Sequence, residues 1–120
     1  MRPTDEICLL AEEFRSCERV LTALGDTNRQ HLILEMIRIG DCRGIRVGEI
    51  SEKSHLSRPT VSHHLRVLRD AGIVKLRREG TKNYYYFDAD SEKIRTLITM
   101  LTHAKNMMEA LPDRSGKETL

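Results

Sequence analysis

Apolar residues recur in steps of three and four from Ile7 through Leu10, Phe14, Cys17, Leu21 and Leu24, the spacing of one continuous face of a helix that packs against another helix. Gly25 interrupts the pattern. Asp26 or Thr27 can then cap a second helix, and Gln30 stands where it would complete a capping box with Thr27. Leu32, Ile33, Met36 and Ile37 supply that helix with an apolar face. Gly40 to Gly44 is a turn-rich connection, "RVGEISEKS" a short helix with Val47 and Ile50 inward, and after the three residues "HLS" another helix runs from about Ser57 to Ala71. Gly72 ends it and the period drops to two: Val74, Leu76 and Arg78 fall on one side and Lys75 and Arg77 on the other, before a turn at "EGTK" and strand-forming residues from Tyr84 to Phe87. Beyond Ser91 the helical spacing returns through Ile94, Leu97, Leu101, Ala104, Met108 and Leu111, and Pro112 stops it.

This pattern predicts a mainly α chain with one β-hairpin. At 120 residues it is one domain, large enough to bury a core without disulfides or a structural metal. Residues 1–112 form that domain and 113–120, "DRSGKETL", a disordered polar tail. The compact middle cannot cover both long terminal seams, so the N- and C-terminal helices are expected to pair two copies of the chain.

Two short helices joined by three residues, followed by a hairpin, make a winged helix-turn-helix, whose second helix enters the major groove of DNA. With Val61 as origin and about 100° per residue, Leu65 and Leu68 stay within about 40° of it, whereas Ser62, Arg66, Pro59 and His63 spread over about 100° to 200°. A donor-rich stripe therefore faces away from the core. Ser57, Arg58 and Thr60 add polar groups in the first turn, where free backbone N–H groups and the helix dipole favour a phosphate. His64 falls beside the core face as a structural histidine. The adjacent His63 and His64 cannot chelate one ion from a helix, since helical ligand pairs need spacings of three or four. They have no nucleophile, phosphate loop or carboxylate pair beside them for acid-base work.

Charge sharpens the picture. Net charge is +2, but residues 53–83 hold eight basic side chains against Asp70 and Glu79, so this segment is +6 and the remainder −4. A basic segment in a near-neutral chain suits a polyanion on one face. Arg77, Arg78 and Lys82 surround Gly80 at the hairpin tip, from which long cations reach a backbone or minor groove. Tyr84, Tyr85 and Tyr86 are expected as strand and core residues. A winged-helix protein-interaction module, the rival class, would carry an apolar or acidic outer face on the second helix. Three cysteines, Cys8, Cys17 and Cys42, are too few and too scattered for a disulfide framework and fit a reducing compartment. With no membrane span or secretory signal in the pattern, the cytoplasm is the expected address.

The run "LSRPTVSHHLRVLRDAGIVKLRREGTKNYYYF", preceded by "LGDTNRQHLILEMI", resembles the ArsR/SmtB family of dimeric winged-helix transcriptional regulators over roughly residues 20–88. The resemblance implies a prokaryotic homodimer, without enzymatic activity or cofactor, that binds double-stranded DNA at an inverted repeat and usually represses. Carried over by position, Ser57, Arg58, Thr60, Ser62, His63 and Arg66 lie at the major groove and Arg77, Arg78 and Lys82 form the wing contact. The family's metal sites match poorly. Where one of them needs a Cys-x-Cys pair, this chain has Arg46, Val47 and Gly48. At the other the spacing is right, but only Asp90 and His103 keep good ligand types; Glu92, in place of a histidine, is able to bind zinc, and Asn106 is a poor ligand. Release of DNA when a metal binds at Asp90, Glu92 and His103, or a thiol-responsive release, is the alternative mode of regulation, and the effector stays unnamed.

Overall fold

A computed structural model describes residues 3–113, with the Pro3 side chain, Met1, Arg2 and 114–120 outside the description; most of the expected tail therefore lies outside the described residues. Six helices and one hairpin follow in the order α1 Pro3–Ser16, α2 Glu18–Leu24, α3 Thr27–Ile39, α4 Val47–Ser54, α5 Arg58–Asp70, β1 Val74–Glu79, β2 Lys82–Phe87 and α6 Glu92–Glu109.

The first departure from the sequence pattern is at Cys17, where one long helix becomes two. Cys17 takes φ −95°, ψ 3°, and its N–H reaches both Glu13 O at 3.0 Å and Phe14 O at 3.2 Å, the tightened last turn with which helices end. The break re-aims α2, so Val20 and Ala23 enter the core and Leu21 is left exposed. Spacing alone could not register this, because steps of three and four survive a change of helix axis.

The start of α3 resolves the two candidate caps. Asp26 is the N-cap and its carboxylate accepts from Arg29 N at 3.0 Å. The Thr27–Gln30 capping box does not form; Gln30 Nε2 instead donates to Leu24 O at 2.7 Å, tying α3 to the end of α2. Leu32 and Met36 are buried and Ile33 packs against the core, but Ile37 faces solvent, one step beyond the stripe that the neighbouring helices cover.

Val20, Ala23, Leu32, Met36, Ile45, Ile50, Val61, Leu65, Leu68, Ala71, Ile73 and Val74 form one buried cluster, with Val47, Tyr85, Phe87 and Leu97 packed against it. The hairpin pairs Val74 with Phe87 through Glu79 with Lys82, so its turn is Gly80-Thr81, with Gly80 at φ 61°. Ile45 adds a single-residue third strand: Ile45 N donates to Tyr85 O at 2.8 Å and Tyr85 N to Ile45 O at 2.9 Å. Just before it, Gly44 stands at φ 114°, and a Cβ there would lie 2.7 Å from Tyr84 Cβ, so any larger residue would push the loop off the hairpin.

α1 packs on α6 and the pair projects from this body. The radius of gyration is 18.7 Å and the longest extent 59 Å, where a compact chain of this length would have a radius near 14 Å.

Candidate nucleic-acid interface

α4 and α5 meet as expected. His55 closes α4 in the left-handed region at φ 62°, and Ser57 opens α5, its Oγ accepting from Thr60 N at 3.3 Å and donating to Thr60 Oγ1 at 2.8 Å. Pro59 fits in the first turn, where a missing N–H costs nothing. Ser57 and Thr60 thus spend their hydroxyls on the cap. On the inner face Val61, His64, Leu65 and Leu68 are buried, while Arg58, Ser62, His63 and Arg66 are exposed. The side chains of Arg58, Ser62 and Arg66 make no hydrogen bond or ion pair among the described residues.

The two histidines separate as helical geometry requires. His63 faces solvent; His64 is 7% exposed and lies beside a residue that sequence reasoning missed, Arg29 on α3. Arg29 is 8% exposed. Its Nε donates to Ala23 O at 2.9 Å, its Nη2 to Thr22 O at 3.1 Å, and its Nη1 stands 3.9 Å from Asp26 Oδ2 and 3.5 Å from His64 Nδ1. Because a guanidinium only donates, His64 Nδ1 is the acceptor and its proton is on Nε2. Burial lowers the pKa of His64, and the Arg29 charge adds to that while Asp26 opposes it. Asp26 is held below the usual carboxylate range chiefly by the Arg29 N–H it accepts. One side chain thus closes the end of α2, meets the α3 cap and touches α5, and only the Asp26–Arg29 spacing hinted at it.

On the wing the cations differ in freedom. Arg77 lies over the ring of Tyr84, 4.9 Å from guanidinium carbon to centroid, with Nε 3.1 Å from Glu79 Oε1. Arg78 Nε donates to Asn83 Oδ1 at 3.1 Å across the ladder. Lys82, beside the turn, is exposed. Lys75 is paired to Asp88 at 3.4 Å. All three tyrosines lie in β2, but only Tyr85 packs on the core; Tyr84, expected as a core residue, instead offers its ring to arginine.

The residues matching the family's second metal site do not fit a metal within one chain. Glu92 and His103 stand eleven positions apart on α6, about 16 Å along the axis. His103 Nδ1 instead donates to the Glu13 carboxylate of α1, 2.8 and 2.9 Å from its two oxygens. The Asp90 carbonyl takes Arg95 Nη1 at 2.7 Å. Among the described residues no three His, Cys, Asp or Glu side chains gather as a metal would need. Cys8 and Cys42 are exposed, and Cys17 is buried with its thiol pKa raised by desolvation and by Glu13.

Comparison with known proteins agrees with this geometry. The family model for bacterial regulatory proteins of the arsR family matches residues 30–75. An uncharacterised HTH-type transcriptional regulator of Methanocaldococcus jannaschii is 35% identical over 82 residues, 68% of this chain and 89% of the relative. A transcriptional repressor of Bacillus subtilis, SdpR, is 35% identical over 66 residues, 55% of this chain and 69% of the relative. Among solved structures, a homodimeric winged helix-turn-helix DNA-binding domain from Mycobacterium bovis superposes with a TM-score of 0.54 at 23% identity, covering 87% of this chain and 93% of that one. No helix among the described residues is long and apolar enough to cross a membrane. The chain belongs to the arsR family of bacterial regulatory proteins, winged-helix transcriptional regulators that bind DNA and are not enzymes.

Proposed function

We propose that the protein is a cytoplasmic repressor that binds, as a homodimer, an inverted-repeat operator in double-stranded DNA. α5 enters the major groove and the hairpin rests on the backbone or minor groove. The observation that carries this reading is the division of α5 into a fully buried apolar face and an outward face on which Arg58, Ser62, His63 and Arg66 are exposed. Of these, Arg66 has the fork that reads guanine O6 and N7. Ser57 and Thr60 contribute mainly by fixing the first turn, and Lys82, Arg78 and Arg77 supply the wing's charge. Dimerisation is supported by the exposed Ile7, Phe14, Ile98, Leu101 and Met108 on the α1–α6 arm and by the homodimeric M. bovis domain. Repression is supported by the related repressor of B. subtilis.

Two recognition helices related by a two-fold axis read half-sites about one helical turn, roughly 10 bp, apart. A gel shift on the protein's own promoter fragment tests the reading. Arg66→Ala is expected to weaken specific binding by about 1–3 kcal/mol, and Arg77→Ala to weaken specific and random duplexes alike. Wild-type affinity in both variants would overturn these roles.

A further inference from the structure

Arg46 belongs to none of the contacts proposed above, yet the fold fixes its position closely. It is exposed and precedes α4 as the N-cap residue, without a side-chain cap bond. Its guanidinium carbon lies 5.7 Å from the centroid of Tyr84, the same ring that carries Arg77 at 4.9 Å. Two residues on, a Cβ at Gly48 would lie 2.8 Å from Arg58 Nη2, so the Arg58 guanidinium covers the first turn of α4. Arg46 and Arg77 thus lie against the one ring of Tyr84, and the Arg58 guanidinium lies over the same first turn of α4 that Arg46 opens, where the helix-turn-helix meets the wing. Of the nearby acids, Glu79 pairs with Arg77 and Asp41 also acts on it, while Arg46 and Arg58 make no ion pair among the described residues, with Glu49 of the first turn of α4 or any other acid.

Guanidinium groups without an acid partner, one held at an aromatic ring and one over a helix start, favour an anion beside them. Arg58 belongs both to this cluster and to the outward face of α5, so an anion here is contiguous with whatever lies against the recognition helix. We propose that Arg46, Arg58 and Arg77 form a phosphodiester-binding seat at the seam of α4 and the wing, with Arg46 a further DNA-contact residue and Tyr84 the platform that orients it. The proposal rests on the DNA-binding reading above. In it the first helix of the helix-turn-helix and the wing grip one stretch of backbone and set the register of α5 without reading a base.

The test is the salt dependence of binding to the promoter fragment and to a random duplex of equal length, for wild type, Arg46→Ala and Arg43→Ala. Arg43 is an exposed arginine three residues away, paired with Asp41 and outside the cluster. Since Arg46 gives no side-chain bond to the cap, its replacement leaves α4 intact, which a thermal melt by circular dichroism verifies. Arg46→Ala is expected to reduce the slope of log K against log salt by about 0.9, one released counterion, and to weaken both duplexes by the same factor. Arg43→Ala is expected to keep the wild-type slope. An unchanged slope for Arg46→Ala, or an equal reduction for Arg43→Ala, would overturn the seat while leaving the recognition-helix reading in place. A wild-type protein that bound neither duplex would overturn both.

Discussion

α5 and α6 are both amphipathic, yet they dispose of their apolar residues in opposite ways. In α5 the side chains of Val61, Leu65 and Leu68 are wholly buried by α2, α3, α4 and the hairpin within the same chain. In α6, five residues longer, only Met100 and Ala104 are buried, while Ile98 is 60% and Met108 68% exposed. The apolar side of α5 is satisfied by its own fold and its polar side is left for a ligand; α6 leaves apolar surface that nothing among the described residues covers. On the function proposed above, the surface that reads is separate from the surface that assembles, and each can be damaged without unfolding the other.

The sharpest break is in the body. Leu65→Ala, at a side chain with no exposure, should cost about 2–5 kcal/mol of unfolding free energy, measured by urea denaturation, and should take DNA binding with it. On the arm the outcome is the reverse. Leu101→Glu, at a half-exposed position, should leave the melting of the body nearly unchanged but give a monomer in analytical ultracentrifugation. Affinity for an inverted repeat should then fall by on the order of a hundredfold, as the second half-site is no longer held by the first. A dimer that survives this charge would remove the contrast between the two helices.

A smaller effect sharpens the description of the body. The pKa of His64 is lower in the folded chain than in the unfolded one. The unfolded chain therefore binds the proton first as pH falls, and the contribution of His64 is complete above about pH 6.5 and is lost below it, toward the folded value. His64→Gln should flatten part of the stability loss between pH 7 and 5 in thermal melts. An identical pH profile in wild type and variant would mean that burial, with the Arg29 charge beside it, does not hold the imidazole neutral.

The layout of the recognition unit was legible because it depends on local rules. The helix opens near Ser57, Val61, Leu65 and Leu68 share a face, and Gly72 and Gly80 punctuate, all by spacing; that Ser57 is the cap emerges only from the structure. What was missed depends on approach between distant segments. The cap fell to Asp26 over Thr27 once Arg29 had been drawn under α2. Spacing alone puts Ile37 on the inward face, since nothing in its helix says how wide the covered stripe is, and it is exposed. Spacing does not show that Arg77 lies over Tyr84, nor that Arg46, in a loop without periodicity, approaches the same ring. The break at Cys17 conserves every spacing that a helix seam uses, so only the change of inward residues from Leu21 to Val20 and Ala23 reveals it.

The close approach at Gly44 bears on how such proteins can be recombined. With Ile45 laddered to Tyr85 and no room for a Cβ against Tyr84, the loop ahead of α4 and the second wing strand behave as one piece of masonry. A chimera that transplants a relative's hairpin at residues 74–87 alone inherits a mismatched joint at residues 44–46. Exchanging both segments together is the cut that keeps the angle between the wing and the reading head.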